Sequence, residues 1–522
     1  MRELGILIKN EYNILLGFIQ GKKHRKSTVY ASTMLLLGVI ALVAIYTYQA
    51  KTMYDGLGKQ LGLFDLCLFH GILTTVCVTI LIGVMRISAK SKTNDADLLL
   101  SLPIKRGYIV VAKTINKYIF DFFFETLLFA PYYILYLVFT PFSLSRLVIC
   151  VLINLTLPLI SIAISYILNF FVDKICTKLK SGNFIKSIFT SIIFILILAL
   201  LLLKTSFYGT VNETNMENYF TDRAISNSLL QIILNKNLTY LIIYLVFAIG
   251  LFLIGEILFA HNYGKTSASY HSKSTKFKFN SPKSMFINLY KKELFAYLST
   301  PAYITNTIIG PAILMVFSIL IAILGTSGVE SLLAINITNK GMACAIFTLI
   351  FCMMSATTVI SSCSISLESH NLWIIKSSPI DERLLLNAKA LLHISIMLPA
   401  VVLSAIICSI ALNFSFLQSL VLITLPSLLT IIIAYGGLLI NLWIPNLDWE
   451  DETKVVKQSI SVLIAMVFSQ IIALLPLAIT LIFNQISLIV LCTFTYIIYG
   501  AILLLVLLLL FTKGAKLLRK LA

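Results

Sequence analysis

The chain has 522 residues, 59% of them hydrophobic and only 12% charged, with a mean hydropathy of +0.96. Soluble domains run about 45–50% apolar and about 25% charged, so a soluble enzyme is excluded, and the apolar content excludes a disordered chain. A net charge of +18 would suggest nucleic acid in a soluble protein, but in a membrane protein Lys and Arg gather in cytoplasmic loops, and no nucleic-acid partner is expected.

In chain order, the first predicted element is an amphipathic helix over 3–20. Leu4, Leu7, Ile8, Tyr12, Leu15, Leu16 and Ile19 share one face. Lys22, Lys23, Arg25 and Lys26 follow. Such a helix lies in the inner membrane interface with its cations toward anionic lipid. Apolar stretches long enough to span a bilayer come next, near 29–49, 63–85, 118–140, 147–171, 187–204 and 238–260. His261 to Pro282 is rich in Ser, Lys and His and reads as a cytoplasmic linker. A second amphipathic segment over 283–298 precedes stretches near 302–325, 341–365, 390–412, 417–440, 458–483 and 487–511. The expected fold is an all-α membrane protein of about twelve spans, in halves 1–260 and 283–522. Long unbroken apolar runs exclude a β-barrel.

An even span count puts both termini on one side. The odd-numbered connections carry only Lys51, Lys59, Arg146, Lys204, Arg223, Lys236 and Lys340 of the 40 Lys and Arg. The positive-inside rule then places both termini in the cytoplasm. Met1 to Ser27 is polar and basic, so no cleavable signal peptide is expected. None of the nine Cys is spaced CxxC, and they read as small buried hydrophobes.

The halves repeat each other. Ser101-Leu-Pro-Ile-Lys-Arg-Gly-Tyr-Ile-Val-Val-Ala-Lys113 matches Ser377-Ser-Pro-Ile-Asp-Glu-Arg-Leu-Leu-Leu-Asn-Ala-Lys389 at one constant offset. Lys9-Asn-Glu11 and Lys291-Lys-Glu293 occupy the two amphipathic segments. In the first interior loop, acids including Asp97 lead into Leu98, Leu99, Leu100, Leu102 and Pro103. The second loop offers Glu368, Leu372, Trp373, Ile374 and Pro379. Apolar residues on a cytoplasmic loop either pack on the bundle's own inner face or seek a partner. Twin loops suit a soluble partner with two-fold symmetry.

These motifs resemble the ABC-2 type permeases, exporters whose transmembrane part is separate from its ATPase. Asp448-Trp-Glu-Asp-Glu452 with Val455-Val-Lys-Gln-Ser459 also resembles a segment of the fused, double-length members. The resemblance implies that the two loops are coupling helices docking on two ATPase copies, which bind ATP and magnesium. It also implies a substrate path between the halves. The family often has a re-entrant helical pair outside, before the sixth span of each half. Thr205 to Asn237 leaves room for one, and the few residues near Asn484 do not.

Asp121 and Glu125 lie on one face of the third span, after Lys113 and Lys117 at the same spacing. They read either as an interfacial network at the span's cytoplasmic end or, with Glu256, as the polar lining of an inner cavity. Asp448, Glu450, Asp451 and Glu452 form the acidic cluster of a basic cytoplasmic face, either a solvated loop or an ATPase contact. No GxxxxGK[ST], HExxH or nucleophile elbow occurs. No catalytic residue, metal ligand or cofactor is therefore expected in this chain. The expected function is the permease subunit of an ATP-driven exporter for a hydrophobic or amphipathic substrate, in a bacterial cell membrane. The alternative is a secondary transporter of the twelve-span type, which should show midplane ionisable groups or broken helices.

Overall fold

The structure is a computed structural model. It describes residues 5–10, 39–40, 42–59, 64–89, 101, 103–141, 143–176, 189, 192–193, 196–197, 238–263, 284–333, 340–377, 380–449, 452, 455–456, 459–477 and 488–521. Among them there is no strand, and ten helices are long and apolar enough to cross a membrane. These ten match ten of the expected spans. About half of the stretch near 29–49 and most of that near 187–204 lie outside the described residues, so the twelve-span count rests on sequence.

The chain divides into two compact units, Met1–Gly182 with Val211–Lys273 and Asn183–Thr210 with Ser274–Ala522. The first unit contains α1 (Phe64–Ala89), α2 (Arg106–Phe139), α3 (Leu144–Cys176) and α4 (Leu238–Asn262). Small residues set its close packing, as expected where lipid removes the hydrophobic drive between helices. A Cβ on Gly255 of α4 would come 2.8 Å from the Ala163 backbone of α3. One on Gly71 of α1 would meet the Tyr132 ring. Tyr54, Leu68, Phe129, Tyr132 and Leu157 fill the apolar core of this unit.

The second unit contains α5 (Met285–Ser299) and a short helix, Pro301–Thr307. The spans α6 (Ile309–Leu333) and α7 (Lys340–Ala356) follow. After Ala356 the α-helix stops. The chain continues as two 3-10 turns, Ile360–Cys363 and Ser366–Asn371, and a short helix, Leu372–Ser377. Then come α8 (Glu382–Ala411), α9 (Phe416–Trp443), α10 (Ile460–Ala473) and α11 (Leu488–Leu509). Asp381 caps α8 by accepting from the Arg383 N–H, and Ser415 opens α9 with a capping box to Gln418.

The internal repeat extends to packing. Under the offset that aligns Lys113 with Lys389, α2 starts at Arg106 where α8 starts at Glu382. Ile109, Ala112, Asp121, Glu125 and Tyr132 fall on Leu385, Ala388, Met397, Val401 and Cys408, and all ten are buried. Residues 5–10 are helical, and Leu7 packs on Ile109 and Ala112. Leu289 of α5 belongs to one core with Leu385 and Ala388. In each half, therefore, the amphipathic helix rests on the first turns of the third span. Met285, Ile287 and Phe295 of α5 stay exposed, an apolar surface suited to the lipid interface.

Candidate functional site

Two polar constructions stand out from this apolar scaffold. The first, in the second unit, joins α5, the broken second span and α8. Leu289, Glu293 and Tyr297 form the buried face of α5, as the four-residue spacing dictates. Lys389 is 1% exposed. Its Nζ lies 3.0 Å from both Glu293 carboxylate oxygens and 2.8 Å from Glu368 Oε2. It also donates to the Ser364 carbonyl at 3.3 Å. Lys292 reaches in from the rim to bridge Glu368. Two cations and two carboxylates thus form a neutral cluster. Buried charges persist only when paired and hydrogen-bonded in this way. Glu293 lies outside the spans. Burial pushes its carboxyl above the usual carboxylate range, and Lys389 acts in the opposite direction.

The turn that delivers Glu368 is held from below by Asn441 of α9, which is fully buried. Its Oδ1 accepts from the Ile365 N–H at 2.9 Å and the Ser366 N–H at 3.2 Å. Its Nδ2 donates to Ser366 Oγ at 2.8 Å and to Ser461 Oγ at 3.2 Å. Trp449 Nε1 donates to the Ser366 carbonyl at 2.7 Å. Tyr303 Oη donates to the Ile360 carbonyl at 2.6 Å, and the Ile360 N–H donates to His393 Nδ1. A Cβ on Gly437 would come 2.5 Å from Ser361 Oγ, so only glycine lets the turn approach α9 this closely. Irregular backbone among spans requires such complete satisfaction.

Of the residues expected to couple, Glu368 points into this cluster. Leu372 is buried in the core with Leu289 and Leu385. Trp373, the next residue, is 66% exposed. Pro103 is exposed just before α2. Asp97, Leu98, Leu99, Leu100, Leu102 and Pro379 lie outside the described residues, as does the side chain of Ile374. Asp448 is exposed and Glu452 half-buried, while Glu450 and Asp451 lie outside the description. Trp449 ties that acidic segment to the same turn that carries Glu368. The sequence reading picked out Glu293 and Lys389 in separate motifs without joining them. Asn441 and His393 had no signal beyond being polar within apolar runs.

The second construction is a polar seam in the first unit. On α2, Thr114, Asp121 and Glu125 share a buried face. Thr114 Oγ1 donates to Glu256 Oε2 at 2.8 Å and lies 3.2 Å from Tyr166 Oη. Lys117 Nζ donates to Ser165 Oγ of α3 at 2.7 Å and sits over the Tyr166 ring. Thr79 Oγ1 of α1 lies 2.9 Å from Ser161 Oγ of α3. Gly83 gives this seam its room, since a Cβ there would lie 3.0 Å from Ser165 Cβ and 3.5 Å from Lys117 Nζ. Gly83→Val should force Lys117 and Ser165 apart. The expected loss is about 1–3 kcal/mol, the usual range for overpacking, measured as a lower thermal midpoint of the purified protein in detergent. An unchanged midpoint would show that the seam yields freely.

Asp121, Glu125 and Glu256, the three acids expected to line a cavity, all belong to this seam. No group of three or more His, Cys, Asp or Glu able to hold a metal occurs among the described residues. No protein-family model matches the chain, and no curated protein matches it.

Proposed function

We propose that this chain is the membrane-embedded permease subunit of an ATP-driven exporter of the ABC-2 type. In this reading ATP and magnesium bind a separate ATPase, two copies per chain. The cargo is hydrophobic or amphipathic, and both termini face the cytoplasm of a bacterial cell. The observation that carries the reading is the construction of the second interior loop. Trp373 is exposed, while its neighbour Leu372 is buried and Glu368 is clamped to both α5 and α8. A force applied at Trp373 would therefore reach an interfacial helix and a span without passing through a slack loop. Exposed Trp beside a rigid base is the usual composition of an interface anchor.

Trp373→Asp and Leu99→Asp test the assignment. The tagged wild type, purified gently from its native host, should co-elute with a Walker-type ATPase at about two copies per chain. Each variant should insert normally and lose that partner. Retention of the ATPase by both variants would sink the coupling assignment.

A secondary transporter is the second reading, and two observations favour it. The second span of the second unit breaks into 3-10 turns after Ala356, and Glu125 is buried within a span. Broken helices and intramembrane ionisable groups are the marks of that class. A purified chain that transports without any ATPase would decide for it.

A further inference from the structure

Among the described charge-bearing residues of the first unit, Glu125 has both carboxylate oxygens buried without a hydrogen-bond donor. It is fully buried, roughly 28 Å along α2 from Arg106 at 1.5 Å per residue. Among the described residues, no donor reaches either of its carboxylate oxygens with hydrogen-bond geometry. The groups that face it are the hydroxyls of Thr79 on α1 and Ser161 on α3. Each hydroxyl has one proton and competing acceptors, the Thr75 carbonyl for Thr79 and the Leu157 carbonyl for Ser161. The titratable groups bearing on Glu125 are Lys117, Tyr118 and Asp121 of α2 and Tyr244 of α4. Lys117 is engaged by Ser165, and Tyr244 by Thr156.

The repeat supplies an independent argument. The positions matching Asp121 and Glu125 in α8 are Met397 and Val401, both fully buried. The matching helix of the other half is thus buried at these two positions without acids. A carboxylate at that depth costs about 2.5–3.5 kcal/mol on insertion scales. A buried acid within a span is a functional candidate by default.

We propose that Glu125 is a proton-binding site within the membrane, with Thr79 and Ser161 as its switchable hydrogen-bond partners. In the occupied form the neutral carboxyl donates its O–H to one of these hydroxyls. On release the proton passes to water, and both hydroxyls turn to donate to the carboxylate. Uptake reverses the step, a hydronium ion giving its proton to the carboxylate and leaving water. Nearer the N-terminus of α2 the same seam holds the Lys117–Ser165 and Thr114–Glu256 hydrogen bonds. Lys117 and Thr114 lie between Glu125 and the basic end of α2. The site stands on the first unit alone and needs no ATPase.

Infrared difference spectra of the full chain in lipid, recorded between about pH 6 and about pH 9, read the proton directly. Wild type should lose a protonated-carboxyl band as pH rises, and Glu125→Gln should lack that band. Dicyclohexylcarbodiimide, which attacks protonated membrane carboxyls, should modify Glu125 several-fold more at the lower pH. Identical difference spectra for wild type and variant would overturn the proposal, and so would a band insensitive to pH. Glu125→Val, which copies the other half, guards against misfolding. It should fold with a thermal midpoint at or above wild type and lack the band. Its failure to fold would assign Glu125 a structural role instead.

Discussion

Replacing Lys389 with Met should destabilise the second unit by about 3–5 kcal/mol, the range for breaking a buried ion pair by removing one partner. Lys389 lies within 3.0 Å of both carboxylates, and it is 1% exposed. Lys292, half-exposed at the rim, stays 3.7 Å from Glu293 and cannot replace it. Glu293 would then keep, of the cluster's cations, Lys292 at 3.7 Å. Because whole domains are stable by only about 5–15 kcal/mol, much of the protein should fail to fold or melt early. The triple variant Lys389→Met, Glu293→Gln, Glu368→Gln should recover most of the loss, because a neutral polar cluster carries no unpaired charge. Thermal unfolding of the detergent-purified proteins measures both. A single variant as stable as wild type would show that water reaches the cluster.

Asn441→Leu should cost about 2–5 kcal/mol, from two buried N–H groups left without an acceptor at about 1–3 kcal/mol each. Ile365 and Ser366 are those two groups, and Asn441 Oδ1 serves both. The substitution also removes the donor to Ser366 Oγ. The broken segment after Ala356 should loosen as a unit, since its backbone lacks the ordinary α-helical ladder there. Hydrogen exchange should therefore rise at 360–371 and stay unchanged in α2 and α3. Uniform exchange across the chain would mean that Asn441 supports the whole fold instead.

Much of the architecture was legible without coordinates. Runs of about 20 apolar residues can only be helices in a bilayer, because every backbone N–H and C=O must be satisfied within the segment. The duplicated Ser-Pro-Ile and Ala-Lys pattern located equivalent helix starts, and the buried faces of α2 and α8 then follow the same offset. The amphipathic helix over 283–298 was equally plain from its period. Hydropathy was less informative about where spans begin. The third-span helices start at Arg106 and Glu382, well before the apolar stretches, because a helix continues through the interface where Lys and Glu are tolerated. Nor could it reveal the break after Ala356. Thr357, Thr358, Ser361 and Ser362 are neutral enough to pass as part of a span, yet Thr357 and Ser362 turn to the local carbonyls of Met354 and Val359 while Ser361 reaches the Ile433 carbonyl of α9.

Composition and period by themselves determined that this is a helical, multi-pass membrane protein. They did so because lipid as a solvent leaves the backbone almost no alternative. Tertiary structure alone decided which charges meet. Glu293, Glu368 and Lys389 lie on three separate segments, and no local rule brings Lys389 within 3.0 Å of both carboxylates. It also decided that Glu125 is enclosed by hydroxyls while Val401 takes its place in the other half. Charge pairing in a low-dielectric interior depends on distances of a few ångströms between elements far apart in sequence, and those distances are set only when the helices pack.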